Sequence, residues 1–305
     1  MSALQAWLDQ PGVTIVLIGA LVGIAASLLG SFLVLRRESM LSDAISHSVL
    51  LGIVAAYLLT GTLDSPLHVL GAALAGLVTV WLSDVLARSR RVKSDAAIGL
   101  VFPAMFALAV LLINLYARDV HLDTDAVLLG EIGFAWLDVV DLAGLEVARS
   151  LVTMLAITLV NLAFVSLLYK ELKLATFDPG LATALGLRPA LIGYALLGLV
   201  SVTAVGAFDA VGAILFVAFV IVPPTAAYLV TDSLWKMLAL GCGVAIASSL
   251  GGYAVALALD VSIGGSMASA TGVFLLLALL LGKHGLVARA WRRRAPAPPP
   301  LGGQA

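Results

Sequence analysis

Asp43 and His47 are the two side chains in this sequence whose types and spacing best suit chemistry. They lie four residues apart in Ser42-Asp43-Ala44-Ile45-Ser46-His47, so on a helix both project from one face. A carboxylate and an imidazole that converge in this way suit a divalent cation of borderline hardness. The same spacing fits equally well a packing contact between helices, made by hydrogen bonds among Asp, His and Ser side chains.

Asp209 is a second acidic residue in an apolar region, within Gly206-Ala207-Phe208-Asp209-Ala210-Val211-Gly212. It could complete a metal site, or it could mark a turn at the membrane surface. Because a surface turn tolerates a charge freely, the sequence favours the turn.

A polar segment between residues 117 and 148 contains His121, Asp123 and Asp125, followed by Glu131. In an extended strand the first three side chains would point to one face. This arrangement could form a cation-attracting vestibule or a docking surface, although an exposed acidic loop is usually only solvated.

Several motifs are absent from the sequence. Gly282-Lys283-His284 does not complete a P-loop, so any ATP must be handled by another polypeptide. There is no H-E-x-x-H, which excludes the zinc membrane-protease interpretation. The single cysteine, Cys242, allows neither a disulfide nor a thiolate cluster within one chain.

Membrane helices are the elements that must position these groups. Hydrophobic residues make up 62% of the 305 and charged residues 11%, whereas a soluble domain has about a quarter charged residues. This excludes a soluble enzyme, and a net charge of −1 gives no reason to expect nucleic acid as a partner. We therefore predict an all-α polytopic helical membrane protein. It should have about nine transmembrane helices, with eight to ten also compatible, near residues 13–35, 41–60, 67–87, 96–116, 150–169, 190–207, 210–230, 238–259 and 267–282.

The second of these spans carries the Asp43 and His47 pair. Counting about 1.5 Å per residue from Arg37 places His47 roughly 15 Å deep, near the middle of an approximately 30 Å bilayer core. Asp43 is expected one turn nearer the cytoplasm. Ionisable groups at such depth are costly and therefore mark functional sites by default.

Lysine and arginine residues divide unequally between the two sides of the predicted bundle. With nine spans, 15 of the 17 fall on one side, and only Arg118 and Arg149 fall on the other. Since basic residues concentrate in cytoplasmic loops, we expect the N-terminus outside and the C-terminus in the cytoplasm. Residues 1–285 are predicted to form one transmembrane domain. Residues 286–305, first basic and then rich in Pro and Gly, are predicted to be a largely disordered cytoplasmic tail.

The sequence around Asp43 and His47 resembles the signature of the ABC-3 family, the membrane permeases of bacterial manganese, zinc and iron importers. Further segments resemble family segments in the same order, and the likeness covers about residues 12 to 285. The matching segments are Arg36–Gly52, Lys93–Leu100, Asp123–Glu131, Phe177–Leu187 and Val211–Ala226.

The resemblance implies a transport subunit of the bacterial plasma membrane rather than an enzyme. Such a permease dimerises with a second copy of itself, binds two copies of an ATPase subunit in the cytoplasm and receives metal from an extracytoplasmic solute-binding lipoprotein. No covalently bound cofactor is expected, because the metal is the transported cargo. Asp43 and His47 fall on the family's intramembrane metal-coordinating positions, whereas Asp209 falls where relatives have a variable polar residue.

The resemblance also assigns segment 177–188 as a cytoplasmic coupling helix. Asp178 suits the N-cap and Pro179 the first helical position, and the segment, which includes Leu181 and Gly186, is long enough for about three turns. A short cytoplasmic helix of this kind can transmit closure of the ATPases into the membrane bundle as a rigid-body movement.

Mn²⁺ is the cargo that the sequence favours, with Zn²⁺ or Fe²⁺ uptake by the same kind of permease as the alternative. The spans offer no thiolate pair that would suit zinc, and segment 121–131 resembles the manganese and iron branch of the family more than the zinc branch. Two interpretations of a different class stay open: a proton-coupled secondary cation carrier in which Asp43 and His47 relay protons, and a membrane-embedded structural or assembly protein.

Overall fold

The computed structural model describes residues 10–61, 67–89, 91–116, 132–142, 145–283 and 287. Within these residues the chain is helical apart from one two-stranded hairpin, so the predicted all-α bundle is confirmed. The elements in chain order are α1 (Pro11–Arg36), α2 (Met40–Thr60), α3 (Leu67–Arg88), α4 (Ser94–Tyr116), β1 (Val139–Leu142), β2 (Leu145–Ala148), α5 (Arg149–Leu167), α6 (Tyr169–Phe177), α7 (Pro179–Ala184), α8 (Pro189–Val230), α9 (Leu234–Leu259) and α10 (Ile263–Leu281).

Eight of the helices in the described part of the chain are long and apolar enough to cross a membrane. The sequence predicts about nine spans because it divides residues 190–207 from 210–230, and α8 covers both segments. At about 1.5 Å per residue, the 42 residues of α8 would extend roughly 63 Å, twice the bilayer core. The backbone of Gly212 breaks this length, since its φ of 77° and ψ of 168° are not helical.

The chain reverses direction at Gly212. Phe208 and Phe216, each four residues from this glycine, pack edge to face with their ring centroids 5.7 Å apart. Gly193 near the start of α8 adjoins the guanidinium of Arg36, and Tyr228 near its end lines a cavity with Leu35. Both ends of α8 therefore lie beside the same end of α1. The eight helices provide nine membrane-length segments, because α8 consists of two antiparallel arms, 189–211 and 213–230.

α1 occupies the centre of the bundle, where it packs against both arms of α8 and against α5 and α9. A Cβ atom at Gly30 would overlap the carbonyl oxygen of Val220, so only glycine permits this approach of α1 to the second arm. Buried hydrogen bonds fix α5 to the same centre. The Asn161 amide donates to Thr203 Oγ1 at 2.9 Å, and Thr158 Oγ1 donates to the Leu21 carbonyl at 3.2 Å.

The two ends of the bundle differ in charge. The basic face, as we name it, carries Arg36, Lys93, Lys170, Arg188, Lys236 and Lys283. The opposite, acidic face carries Asp138, Asp141, Glu146, Asp209 and Asp260. Here β1 and β2 pair antiparallel, within the segment 117–148 that the sequence predicts to be a loop. An ion pair of 3.1 Å between Arg149 and Asp138 joins the hairpin to the start of α5.

Candidate metal site

α2 positions Asp43 and His47. The chain leaves α1 through Arg37, which adopts a left-handed φ of 60°, and α2 begins at Met40. Asp43 lies in the first turn of α2, and His47 lies roughly 10 Å from the helix start at about 1.5 Å per residue. The pair thus lies closer to the basic face than the sequence predicts. The predicted depth counts from Arg37, but residues 37–39 form a turn and the helix begins only at Met40.

The two side chains face each other along one side of α2, as the spacing predicts. His47 Nε2 lies 3.7 Å from Asp43 Oδ1, and the side chains are 31% and 43% exposed in the single chain. α4 supplies the wall on this side. The His47 ring stacks on Phe102 at 5.5 Å between centroids and meets the edge of Phe106 at 5.9 Å.

The described contacts do not support a packing role for hydrogen bonds of this pair. The neighbouring serine hydroxyls donate to backbone carbonyls of their own helix or its preceding turn: Ser42 to Ser39, Ser46 to Ser42 and Ser48 to Ile45. The 3.7 Å between His47 and Asp43 exceeds the length of a hydrogen bond. In the described residues, therefore, no hydrogen bond ties the carboxylate or the imidazole to a neighbouring helix.

The separation of these two groups can be compared with metal–ligand distances. At about 2.1 Å from each ligand atom, a typical metal–ligand distance, an ion would meet Asp43 Oδ1 and His47 Nε2 at an angle of about 120°. Ligation by Nε2 requires the proton of the neutral imidazole to be on Nδ1. Among the described residues no group of three or more His, Cys, Asp or Glu side chains could hold a metal ion, so an ion placed here would find two such ligands.

The structure does not bring Asp209 to this pair. Ile45, between Asp43 and His47, adjoins Gly76, which in turn adjoins Ser201 on α8. Asp209 lies eight residues beyond Ser201, about 12 Å further along the helix toward the acidic face. In the single chain its side chain is exposed there. It therefore lies three residues before the reversal at Gly212, as expected for a residue at a turn.

The predicted vestibule residues His121, Asp123, Asp125 and Glu131 lie outside the described residues, as do residues 284–286 and 288–305 of the predicted tail. Their predicted roles stay predictions.

The predicted coupling segment forms a capped but shorter helix. Asp178 Oδ1 accepts a hydrogen bond of 2.9 Å from the Leu181 amide, and Pro179 is the first residue of α7. The helix has six residues, not about three turns, because Gly186 adopts a left-handed φ of 83° and stops it. A second short helix, α6, precedes it. Leu181 and Leu185, four residues apart, are 48% and 66% exposed at the basic face.

Phe102 and Phe106 are the residues of this site that sequence reasoning missed. They are spaced four apart on α4, the same spacing that points to Asp43 and His47 on α2. That signal places the two phenylalanines on one helix face. It cannot indicate that this face meets α2, because aromatic residues at helical spacing are ordinary in apolar spans.

Comparison with known proteins shows which family this chain resembles. A sequence model of the ABC 3 transport family matches residues 13–282. The chain is 52% identical to the zinc transport system membrane protein TroD of Treponema pallidum over 282 residues, which cover 92% of this chain and 77% of that protein. It is 48% identical to the manganese transport system membrane protein MntD of Bacillus subtilis over 260 residues, which cover 85% of this chain and 88% of that protein.

A solved structure resembles the fold as well. The chain superimposes on a chain of PsaBC from Streptococcus pneumoniae in complex with Fab with a TM-score of 0.75 and 27% sequence identity. The superposition covers 91% of this chain and 94% of that one.

Proposed function

Because this chain belongs to the ABC 3 transport family, we propose that it is the membrane permease of an importer for a divalent transition-metal cation, with Mn²⁺ as its principal cargo. The observation that carries this proposal is the pair of Asp43 Oδ1 and His47 Nε2, 3.7 Å apart within a membrane helix. Ionisable groups within membrane helices are expected on a path for ions. The permease itself catalyses no reaction.

A second copy of the chain completes the metal site in this proposal. Four ligands are usual for zinc and six for manganese, whereas the described residues of one chain offer two. Asp43 is also 43% exposed in the single chain, so a neighbouring copy or water can approach it. Two copies that meet along this side of α2 and α4 would supply two carboxylates and two imidazoles.

The basic face is the cytoplasmic face in this proposal. The 15-to-2 division of lysine and arginine residues supports this orientation. Nine membrane-length segments put the two ends of the chain on opposite sides of the membrane. The N-terminus is then outside, and α6 and α7 lie in the cytoplasm.

Two ATPase subunits bind at the basic face, because this sequence contains no P-loop of its own. α7 is their coupling contact, with Leu181 and Leu185 as its exposed apolar residues. An extracytoplasmic metal-binding lipoprotein delivers the cation to the acidic face. The carboxylates of that face attract a cation before it enters the bundle.

The ligand types of the proposed site, a carboxylate and an imidazole, favour manganese over zinc. Carboxylate ligands suit Mn²⁺, and imidazole serves several metals, while zinc sites often use thiolates. The one cysteine, Cys242, lies on α9, which makes no more than minor contact with α2. The names of the two relatives divide between zinc and manganese. Cargo identity is therefore the part of the proposal that measurement must decide.

Metal uptake by cells that lack this chain and carry a plasmid copy tests the proposal. Asp43→Asn and His47→Gln should each abolish uptake of radioactive Mn²⁺ while the amount of permease in the membrane stays normal. Loss of a mere packing contact would cost only about 1 kcal/mol and leave transport intact. Ser48→Ala is the matched control, because this hydroxyl donates only to its own helix. Full uptake by either site variant contradicts the proposal.

Two further arms separate the alternatives. Uptake that continues under an uncoupler while cellular ATP is maintained supports an ATP-driven importer, and uptake that collapses supports a proton-coupled carrier. Elemental analysis of the deletion strain in metal-limited medium identifies the cargo. A selective fall in manganese is expected, and a fall in zinc with unchanged manganese would overturn the choice of Mn²⁺.

A further inference from the structure

A cavity of about 720 Å³ opens on the side of the bundle where α1, α5, α6 and α9 meet. Its interior is apolar and includes Leu28, Leu162, Val165 and Cys242. Leu28 precedes the end of α1 by eight residues, so the cavity reaches about 12 Å into the membrane from the basic face. The volume is in the range of small-molecule sites. None of these residues belongs to the Asp43 and His47 site.

The mouth of the cavity is polar and aromatic. Tyr169, Lys170 and Glu171 line it from the start of α6, and Trp235 lines it from α9. Trp235 is 60% exposed, and Lys236 Nζ lies 5.6 Å from the centre of its ring. Tyrosine, tryptophan and lysine at the end of a membrane helix are typical of the layer of lipid headgroups. The cavity therefore joins the headgroup layer to the hydrocarbon core.

Glu171 is the unusual group in this mouth. Its Oε2 atom is buried and has no hydrogen-bond partner among the described residues. The adjacent Lys170 does not neutralise it, since no salt bridge forms between them in the part of the chain that the structure describes. Successive helical residues point about 100° apart, so the two charges flank the mouth from different directions. The residue as a whole is only half-buried and lines the cavity, so a rotation of its side chain would present the carboxylate to a cationic donor in the mouth, and such a donor would offset the cost of an oxygen without a partner.

We propose that this cavity binds one molecule of phosphatidylethanolamine. The primary ammonium of its headgroup donates hydrogen bonds to the Glu171 carboxylate, which rotates toward the mouth. Its phosphate pairs with Lys170, and one acyl chain lies against Leu28, Leu162 and Cys242. A single zwitterionic lipid satisfies both charges of the mouth and fills the apolar interior. Binding at this place holds α6, which leads directly into α7, against α1 and α9.

Other lipids lack this combination of groups. The ammonium of phosphatidylcholine is fully methylated and has no hydrogen to donate to Glu171. Phosphatidylglycerol has the phosphate for Lys170 and hydroxyl groups that can donate to Glu171, but it has no cation, so it leaves the charge of the carboxylate uncompensated. The proposal therefore predicts a headgroup preference that a general apolar groove would not show.

Native mass spectrometry of the detergent-solubilised full-length chain tests the proposal. The chain is titrated with phosphatidylethanolamine, phosphatidylcholine and phosphatidylglycerol that share the same acyl chains. Phosphatidylethanolamine should be retained about tenfold more strongly than either other lipid, the effect of one charge-assisted hydrogen bond. Glu171→Gln, which keeps an acceptor but loses the charge, should reduce the preference over phosphatidylcholine. Lys170→Gln should weaken retention of phosphatidylethanolamine, whereas Lys173→Gln, exposed on the same helix and outside the cavity, should leave it unchanged.

Cys242 gives an independent readout, because it is the single cysteine and lines the cavity. Bound phosphatidylethanolamine should slow the reaction of this thiol with N-ethylmaleimide, and phosphatidylcholine should not. Ala239→Phe, which fills the cavity from α9, should reduce retention of the lipid even though both charges remain. Equal retention of the three lipids, or an unchanged preference in Glu171→Gln, would overturn the proposal. These measurements involve no transport, so their failure leaves the uptake proposal standing.

Discussion

His47 has two separate contacts that position its metal-binding atom. Nε2 faces Asp43, and the ring lies against Phe102 with an interplanar angle of 22°. A stacked ring limits the rotations of the imidazole, so Nε2 is held toward Asp43 before the cation arrives. Aromatic stacking is worth about 0.5–1.5 kcal/mol beyond area burial. Phe102 is thus a positioning residue for the proposed site.

Replacement of Phe102 tests this role. Phe102→Leu keeps an apolar side chain on α4 but removes the stacked ring, so metal uptake should fall about two- to tenfold, the range that the stacking energy implies. Uptake should not be lost, because both ligands remain. Phe134→Leu, an exposed phenylalanine on the acidic face, is the matched control. Uptake of Phe102→Leu at the control's level would show that the ring does not position His47.

At the scale of the element, α8 depends on one glycine. The φ of 77° and ψ of 168° at Gly212 belong to a region of backbone conformation that is essentially restricted to glycine. Gly212→Ala should destabilise the folded bundle by about 1–3 kcal/mol, seen as a lower melting temperature of the protein in detergent. Gly243→Ala on α9 is the control, since it is helical and a Cβ there meets nothing within 4 Å. An unchanged melting temperature for Gly212→Ala would mean that the reversal does not require this conformation.

α7 is the second element whose role can be tested by itself. Leu181→Asp places a charge on the exposed apolar side of this helix, so the ATPase should no longer co-purify with the permease, because burial of an unpaired charge is costly. Thr183→Asp puts the same charge on another side of the same helix and should retain the ATPase. Co-purification with full ATPase stimulation for Leu181→Asp would remove α7 from the interface.

Sequence and structure agree most closely where the information is local. The spacing of Asp43 and His47 is sufficient to place them on one face of α2, and Asp178 and Pro179 are sufficient to start α7. The position of the reversal in α8 is harder to predict from the sequence, because apolar residues continue through it. Asp209 indicates the position only to within three residues. The β1–β2 hairpin and the contact of Phe102 with His47 arise from tertiary packing, which a single sequence does not encode as a pattern. The proposed metal site finds no third His, Cys, Asp or Glu ligand in the described part of the chain.

At the scale of the whole molecule, the orientation in the membrane is the feature on which the transport direction depends. The basic face carries most of the lysine and arginine residues, and the acidic face carries the β1–β2 hairpin. In a Cys242→Ala background, a cysteine at Glu146 on the hairpin should react with an impermeant thiol reagent on intact cells. A cysteine at Lys93, between α3 and α4, should react only after the membrane is permeabilised. The reason is that basic loops are retained in the cytoplasm during insertion. Labelling of Lys93→Cys on intact cells, with Glu146→Cys protected, would show that the bundle has the opposite orientation. α7 would then lie outside the cell, where it could not contact the ATPase.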